Sequence, residues 1–115
     1  SREFLHVDDL GDAVVFSLEK WDPDSPDAPL DKDGNPLLIL NVGFGADITI
    51  KDLAKKIAKI TEFKGNILWD QRKIDGTPKK ILNTERLKKL GWKPKIKIED
   101  GIKLTLKEFE KEIYS

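Results

Sequence analysis

The spacing of hydrophobic positions changes along this chain, and each change marks a predicted element. Residues 37–60, LLILNVGFGADITIKDLAKKIAKI, open with an apolar run and cross Gly43 and Gly45. They then place an apolar residue at every third or fourth position. That order predicts a strand, a tight turn and a helix. Thr49 followed by Asp52 is a capping-box-like start that satisfies orphan N–H groups, and Ile48 with Leu53 forms the hydrophobic staple. Leu53, Ala54, Ile57, Ala58 and Ile60 share the predicted core face, while Lys51, Asp52, Lys55, Lys56 and Lys59 share the solvent face.

The remaining elements follow from the same criteria. Residues 2–7 alternate weakly and predict an extended segment with Phe4 and Val7 inward. Asp8 or Asp9 is expected to cap a helix reaching about Trp21, with Leu10, Ala13, Val14, Leu18 and Trp21 on its inner face. Asp8, Asp9 and Asp12 also lie where the helix dipole favours negative charge. From 22 to 36 the Asp- and Pro-rich sequence predicts a mobile surface loop. It is not an EF-hand, since Gly34 comes too early and no Glu closes the loop. NILW at 66–69 predicts a short strand. Asn83 caps a brief helix through Leu90, which Gly91 closes with Pro94 just beyond. A last helix is predicted over about Glu99 to Ile113, with Ile102, Leu106, Phe109 and Ile113 at helical spacing.

At 115 residues the chain is expected to be one domain, and 38% hydrophobic against 37% charged residues predicts a modest core under a heavily solvated surface. No segment is long and apolar enough to span a bilayer and no signal-peptide pattern is present, so a cytoplasmic location is expected and no membrane partner. The absence of cysteine removes disulfides, thiolate catalysis and Cys-based zinc sites. With His6 the only histidine, neither a two-His metal site nor a conventional triad can form within one chain. The formal net charge of zero divides unevenly: residues 1–50 hold 3 Lys/Arg against 11 Asp/Glu, and residues 51–115 hold 18 against 10. The second half therefore carries an anion-attracting field, or simply solvated Lys-rich helix faces.

Three stretches bear on chemistry. Gly43–Phe44–Gly45 after a strand suggests a dinucleotide fingerprint, but Ile48 stands where the third glycine belongs, and local turn geometry is the simpler reading. Asp75–Gly76–Thr77–Pro78–Lys79–Lys80 presents an acid, a hydroxyl and two cations on a rigid turn. Lys suits phosphate and Asp suits sugar hydroxyls or ring N–H donors, while a turn with solvated lysines accounts equally for the composition. Arg2 can add a bidentate grip on a diphosphate. Trp21, Trp69 and Trp92 beside the basic half permit a nucleic-acid reading, but ITIKDLAKKIAKI is followed by FKGNILWD, which resembles a strand and not a recognition helix.

REFLHVDDL, LNVGFGADITIKDLAKKIA, WDQRKIDGTPKKIL and LKKLGWKPKIKIEDGI, in that order, resemble the C-terminal portion of the GDP-L-fucose synthase family. These are NADP-dependent epimerase/reductases of the extended short-chain dehydrogenase/reductase (SDR) superfamily. The resemblance implies an α/β fold: a small substrate-binding domain plus the last helix and strand of the Rossmann domain, the strand ending at Asn41–Val42–Gly43. It places Arg2 against the GDP-sugar, and Asp75 and Lys80 at the nucleotide end of the same site. His6 matches the motif histidine without a catalytic role. NADP is implied as the cofactor of the whole enzyme and not of this chain, because the cofactor glycines, catalytic Ser and YxxxK motif lie upstream of the matched portion. Tyr114, the only tyrosine, has no Lys four residues on.

The expectation is therefore a fragment that grips a GDP-sugar but does not turn it over. Its implied partners are the GDP-sugar, the missing Rossmann part and, through an uncovered edge at Leu37–Leu40, a second copy. The chain departs from the family at Ile74 for Pro, Lys79 for Arg, and Lys97 for a Ser cap. The alternative functions are a nucleic-acid-binding module using the lysines of 51–60 and 79–97, and a non-catalytic interaction domain.

Overall fold

A computed structural model describes residues 1–72 and 78–114. Its regular elements are four helices: α1 over Val7–Lys20, α2 over Ile50–Ile60, α3 over Glu85–Leu90 and α4 over Ile98–Tyr114. Local chemistry sets most of their ends. Thr49 Oγ1 accepts the Asp52 N–H at 3.0 Å at the start of α2, and Asn83 Oδ1 accepts the Glu85 N–H at 3.1 Å at the start of α3. Gly91 closes α3 at φ 113°, in the left-handed region, giving its N–H to the Lys88 carbonyl. A residue with a Cβ is strained in that conformation.

The start of α1 differs from expectation. The cap is His6, whose Nδ1 accepts the Asp8 N–H at 3.1 Å. Asp9 instead points inward, only 2% exposed, and accepts the N–H groups of Lys95 and Ile96. The inner face of α1 is accordingly Asp9, Ala13 and Phe16, while Leu10, Val14 and Leu18 are exposed. The extended entry to α1 is also out of phase with expectation. Leu5 packs on the core, Phe4 is more than a third exposed, and Val7 is 70% exposed as the first residue of the helix.

The predicted strands at 37–43 and 66–69 do not form ladders. Among the described residues there are only isolated bridges, Arg2 to Ile48, Arg2 to Lys80 and Leu30 to Pro36. A strand is stable when its N–H and C=O groups meet neighbouring strands, and a single parallel strand lacks them. Residues 37–43 are held by the Leu37 N–H, which donates to the Pro29 carbonyl at 3.1 Å, and by Leu40 and Val42, which pack on the core, whereas Leu38 and Ile39 are each 76% exposed. The Asp/Pro-rich loop folds on itself through Asx turns. Asp22 Oδ1 accepts from Asp24, and Asp31 Oδ1 accepts from both Asp33 and Asn35, with Gly34 at φ 81°.

The core is small. Ala13, Leu87 and Trp92 are its buried apolar side chains among the described residues, ringed by Leu5, Phe16, Leu40, Val42 and Leu90. The indole Nε1 of Trp92 donates to Asp12 at 3.0 Å. A second contact joins α2 to α4, where Lys56 pairs with Glu99. That hydrogen bond, with a backbone one, holds the Glu99 carboxyl below the usual carboxylate range. The radius of gyration is 18.1 Å, whereas a compact domain of this length has about 13 Å. The chain is an extended slab with much apolar surface uncovered. No helix among the described residues is long and apolar enough to cross a membrane.

Candidate functional site

The N-terminal segment is the centre of a three-way junction. Arg2 and Ile48 exchange both backbone hydrogen bonds at 2.9 Å, and on the other side the Lys80 N–H donates to the Ser1 carbonyl at 3.2 Å. Arg2 thus lies antiparallel to the chain entering α2 and parallel to the chain around Lys80. Bridged backbones run about 4.8 Å apart, so two residues 78 positions apart in sequence carry their cations on adjacent strands. Arg2 is half-buried and its Nη1 donates to the Ser1 carbonyl at 2.8 Å. Lys79 and Lys80 are exposed. Of the three predicted site residues, Arg2 and Lys80 are brought together, and Asp75 lies outside the described residues.

The residue that sequence reasoning missed is Glu3. Its Oε2 accepts the Gly45 N–H at 2.7 Å and its Oε1 accepts the Leu82 N–H at 3.3 Å. These donors belong to the same two segments that bridge Arg2. Gly43 lies directly beneath the carboxylate: a Cβ there would come within 2.5 Å of Oε1 and 2.9 Å of Oε2. Gly43 thus leaves room for the carboxylate, and a side chain there would displace it. The available signal was alternation, since in an extended segment Glu3 shares a face with Leu5, which packs on the core.

The glycine turn can now be assessed for a dinucleotide. Gly45 has φ 89° and gives its N–H to the Glu3 carboxylate. An internal anion takes the donor that a pyrophosphate would need, so this turn does not fit NADP. His6 is likewise committed to structure. Besides capping α1, its ring packs on Gly101 of α4, where a Cβ would lie 3.3 Å from His6 Cδ2. Beside it an apolar groove of about 490 Å³ runs between α2 and α4, lined chiefly by Phe4, Leu53, Ile57, Ile102, Leu106 and Phe109. Arg2 and Lys80 do not line it.

Comparison with known proteins places this arrangement. No family model matches the chain. A solved Campylobacter jejuni GDP-mannoheptose C4 reductase with NADP bound superposes at TM-score 0.75 and 29% identity, covering 95% of this chain and 31% of that one. The fold is thus that of one part of a nucleotide-sugar reductase of the extended SDR superfamily. Curated relatives narrow this further. A rice (Oryza sativa subsp. japonica) protein named "Probable GDP-L-fucose synthase 1" is 37% identical over 114 residues, 99% of this chain and 31% of its own length. The Escherichia coli GDP-L-fucose synthase is 41% identical over 108 residues, 94% of this chain and 32% of its own length. Across nearly its whole length the chain is similar to the GDP-L-fucose synthases, and it spans about three tenths of the length of the relatives it matches.

Proposed function

We propose that this chain is the GDP-sugar-binding C-terminal part of a GDP-L-fucose synthase. The whole enzyme would convert GDP-4-keto-6-deoxy-D-mannose to GDP-L-fucose by epimerisation followed by reduction with NADPH. The observation that carries this reading is the backbone bridge between Arg2 and Lys80. A guanidinium and an ammonium on bridged segments suit the diphosphate of a nucleotide sugar. Asp75, four residues upstream of Lys79 on the same segment, would complete the nucleotide end by accepting hydrogen bonds from the base or ribose.

In this reading the chain supplies grip and closure only. The catalytic residues and the NADP site belong to an upstream Rossmann part, and the exposed apolar faces of α1 and of residues 37–40 are surfaces that such a part would cover. Alone, the chain has no turnover. Its GDP affinity is near millimolar, equivalent to about 4 kcal/mol, because only a few of the site's polar contacts are present.

A chimera tests the reading. The C-terminal portion of the Escherichia coli enzyme is replaced by this chain, and NADPH consumption is followed with the GDP-keto sugar. Retained turnover, lost on Lys80→Ala, is the expected result. A folded chimera that binds NADPH yet neither binds nor reduces the GDP-sugar would overturn the assignment.

A further inference from the structure

We propose that Glu3 is the positioning residue of this site: its carboxylate locks the three segments so that Arg2 and Lys80 stand side by side. The proposal rests on the reading that this pair grips the nucleotide, and it adds the part that sets the pair's geometry.

Main-chain hydrogen bonds hold Arg2 to Ile48, the Ser1 carbonyl to Lys80 and the Ser1 ammonium to the Pro78 carbonyl, and the Glu3 side chain adds a tie beyond Ile48 and Lys80 on both sides. Three residues before Ile48 the Gly45 N–H, and two residues after Lys80 the Leu82 N–H, both donate to the Glu3 carboxylate, one oxygen for each donor. A carboxylate is the side chain suited to this, since it presents two acceptors and no donor. Hydrogen bonds to an ionised acceptor are also the stronger kind. Gly43 leaves the space the carboxylate occupies. In an extended segment, gripping through Glu3 leaves the neighbouring Arg2 directed to the opposite face.

The consequences are specific. Glu3→Gln keeps shape and volume but turns one acceptor into a donor that faces a backbone N–H, so one of the two segments is released. Gly43→Ala reaches the same end without touching Glu3, by pushing the carboxylate away. In a Glu3→Ala background that methyl group has room, so adding Gly43→Ala has no further effect.

The experiment is NMR of the intact chain and these variants, free and titrated with GDP, with the Leu87 amide as a reporter of the core. In the free protein, Glu3→Gln and Gly43→Ala are each expected to move the Gly45 or Leu82 amide upfield and remove the nuclear Overhauser contacts between the Arg2 and Lys80 backbones, leaving Leu87 unchanged. GDP affinity then falls about tenfold. Arg2–Lys80 contacts that persist in both variants would overturn the proposal whether or not GDP binds. So would lost contacts with unchanged GDP affinity. A parent chain that ignores GDP, while its Arg2–Lys80 contacts still depend on Glu3, would overturn the nucleotide reading and leave the positioning role supported.

Discussion

The Asp9 carboxylate accepts the Ile96 N–H at 2.9 Å, fastening the first turn of α1 to the chain that enters α4, 87 residues away. The Lys95 N–H reaches the same carboxylate, and Trp92 three residues earlier donates to Asp12 on the next turn of α1. Two acids that read as dipole partners are thus tertiary anchors. With three buried apolar side chains as its centre, the fold depends heavily on them.

Asp9→Ala should therefore cost about 3 kcal/mol, since it removes charge-assisted hydrogen bonds and leaves two backbone donors without their acceptor. Asp8→Ala, at an exposed position, should cost under about 0.5 kcal/mol. Urea unfolding followed by tryptophan fluorescence measures both, and equal losses would contradict the distinction.

Leu87 is fully buried between α1 and Trp92. Leu87→Ala should cost about 2–5 kcal/mol. In a chain with so small a core that is enough to unfold a large fraction of molecules at room temperature, which circular dichroism would register as lost helix. Gly91→Ala should cost about 1–2 kcal/mol through backbone strain alone, because a methyl group there meets nothing closer than Phe16 Cζ at 3.8 Å.

The Lys56–Glu99 pair gives the α2–α4 contact a pH dependence of known sign. Glu99 has its proton affinity lowered in the folded state, first by the Lys56 hydrogen bond and then by a backbone one. An unfolded Glu takes its proton at higher pH than the folded one. The contribution is therefore complete above the ordinary carboxylate range, and it is lost as the pH falls through the lowered folded value. Both groups are half-exposed, so the effect is small and salt-sensitive. Protection of the α2 amides, taken relative to their intrinsic exchange rates, should fall on acidification below the ordinary carboxylate range, and Glu99→Gln should remove that dependence. An unchanged profile in the variant would assign the acid response elsewhere.

Leu38 and Ile39 lie exposed on a segment that has no strand partner among the described residues. Unpaired apolar edges associate. The isolated chain is expected to sediment as larger species at higher concentration, and Leu38→Lys with Ile39→Lys should return it to a monomer. A parent chain that stays monomeric throughout would count against an open edge.

What could be read from the sequence was the chemistry that acts within a few residues. The Thr49 cap and the Gly91 stop use partners in the next turn, the cap of α3 falls on Thr84, one residue after Asn83, and α2, α3 and α4 begin and end within a residue or two of their predicted bounds. What failed depends on distant partners. Residues 37–43 and 66–69 have strand composition but no neighbouring strands among the described residues, and they form no ladder there. Asp9 was read as a cap because its acceptors' partners lie 86 and 87 residues on. Glu3 passed unnoticed because its donors are 42 and 79 residues away. At the site, the family motifs singled out Arg2 and Lys80, and the structure bridges them, while Asp75 lies outside the described residues.

The most direct test of the central claim is an amide NMR titration of the chain with GDP, with UDP and a short DNA duplex as controls. The account predicts GDP shifts concentrated around Arg2 and at Lys80, weaker with UDP and diminished by Lys80→Ala. No response to GDP at these residues, or a response to DNA alone, would contradict it.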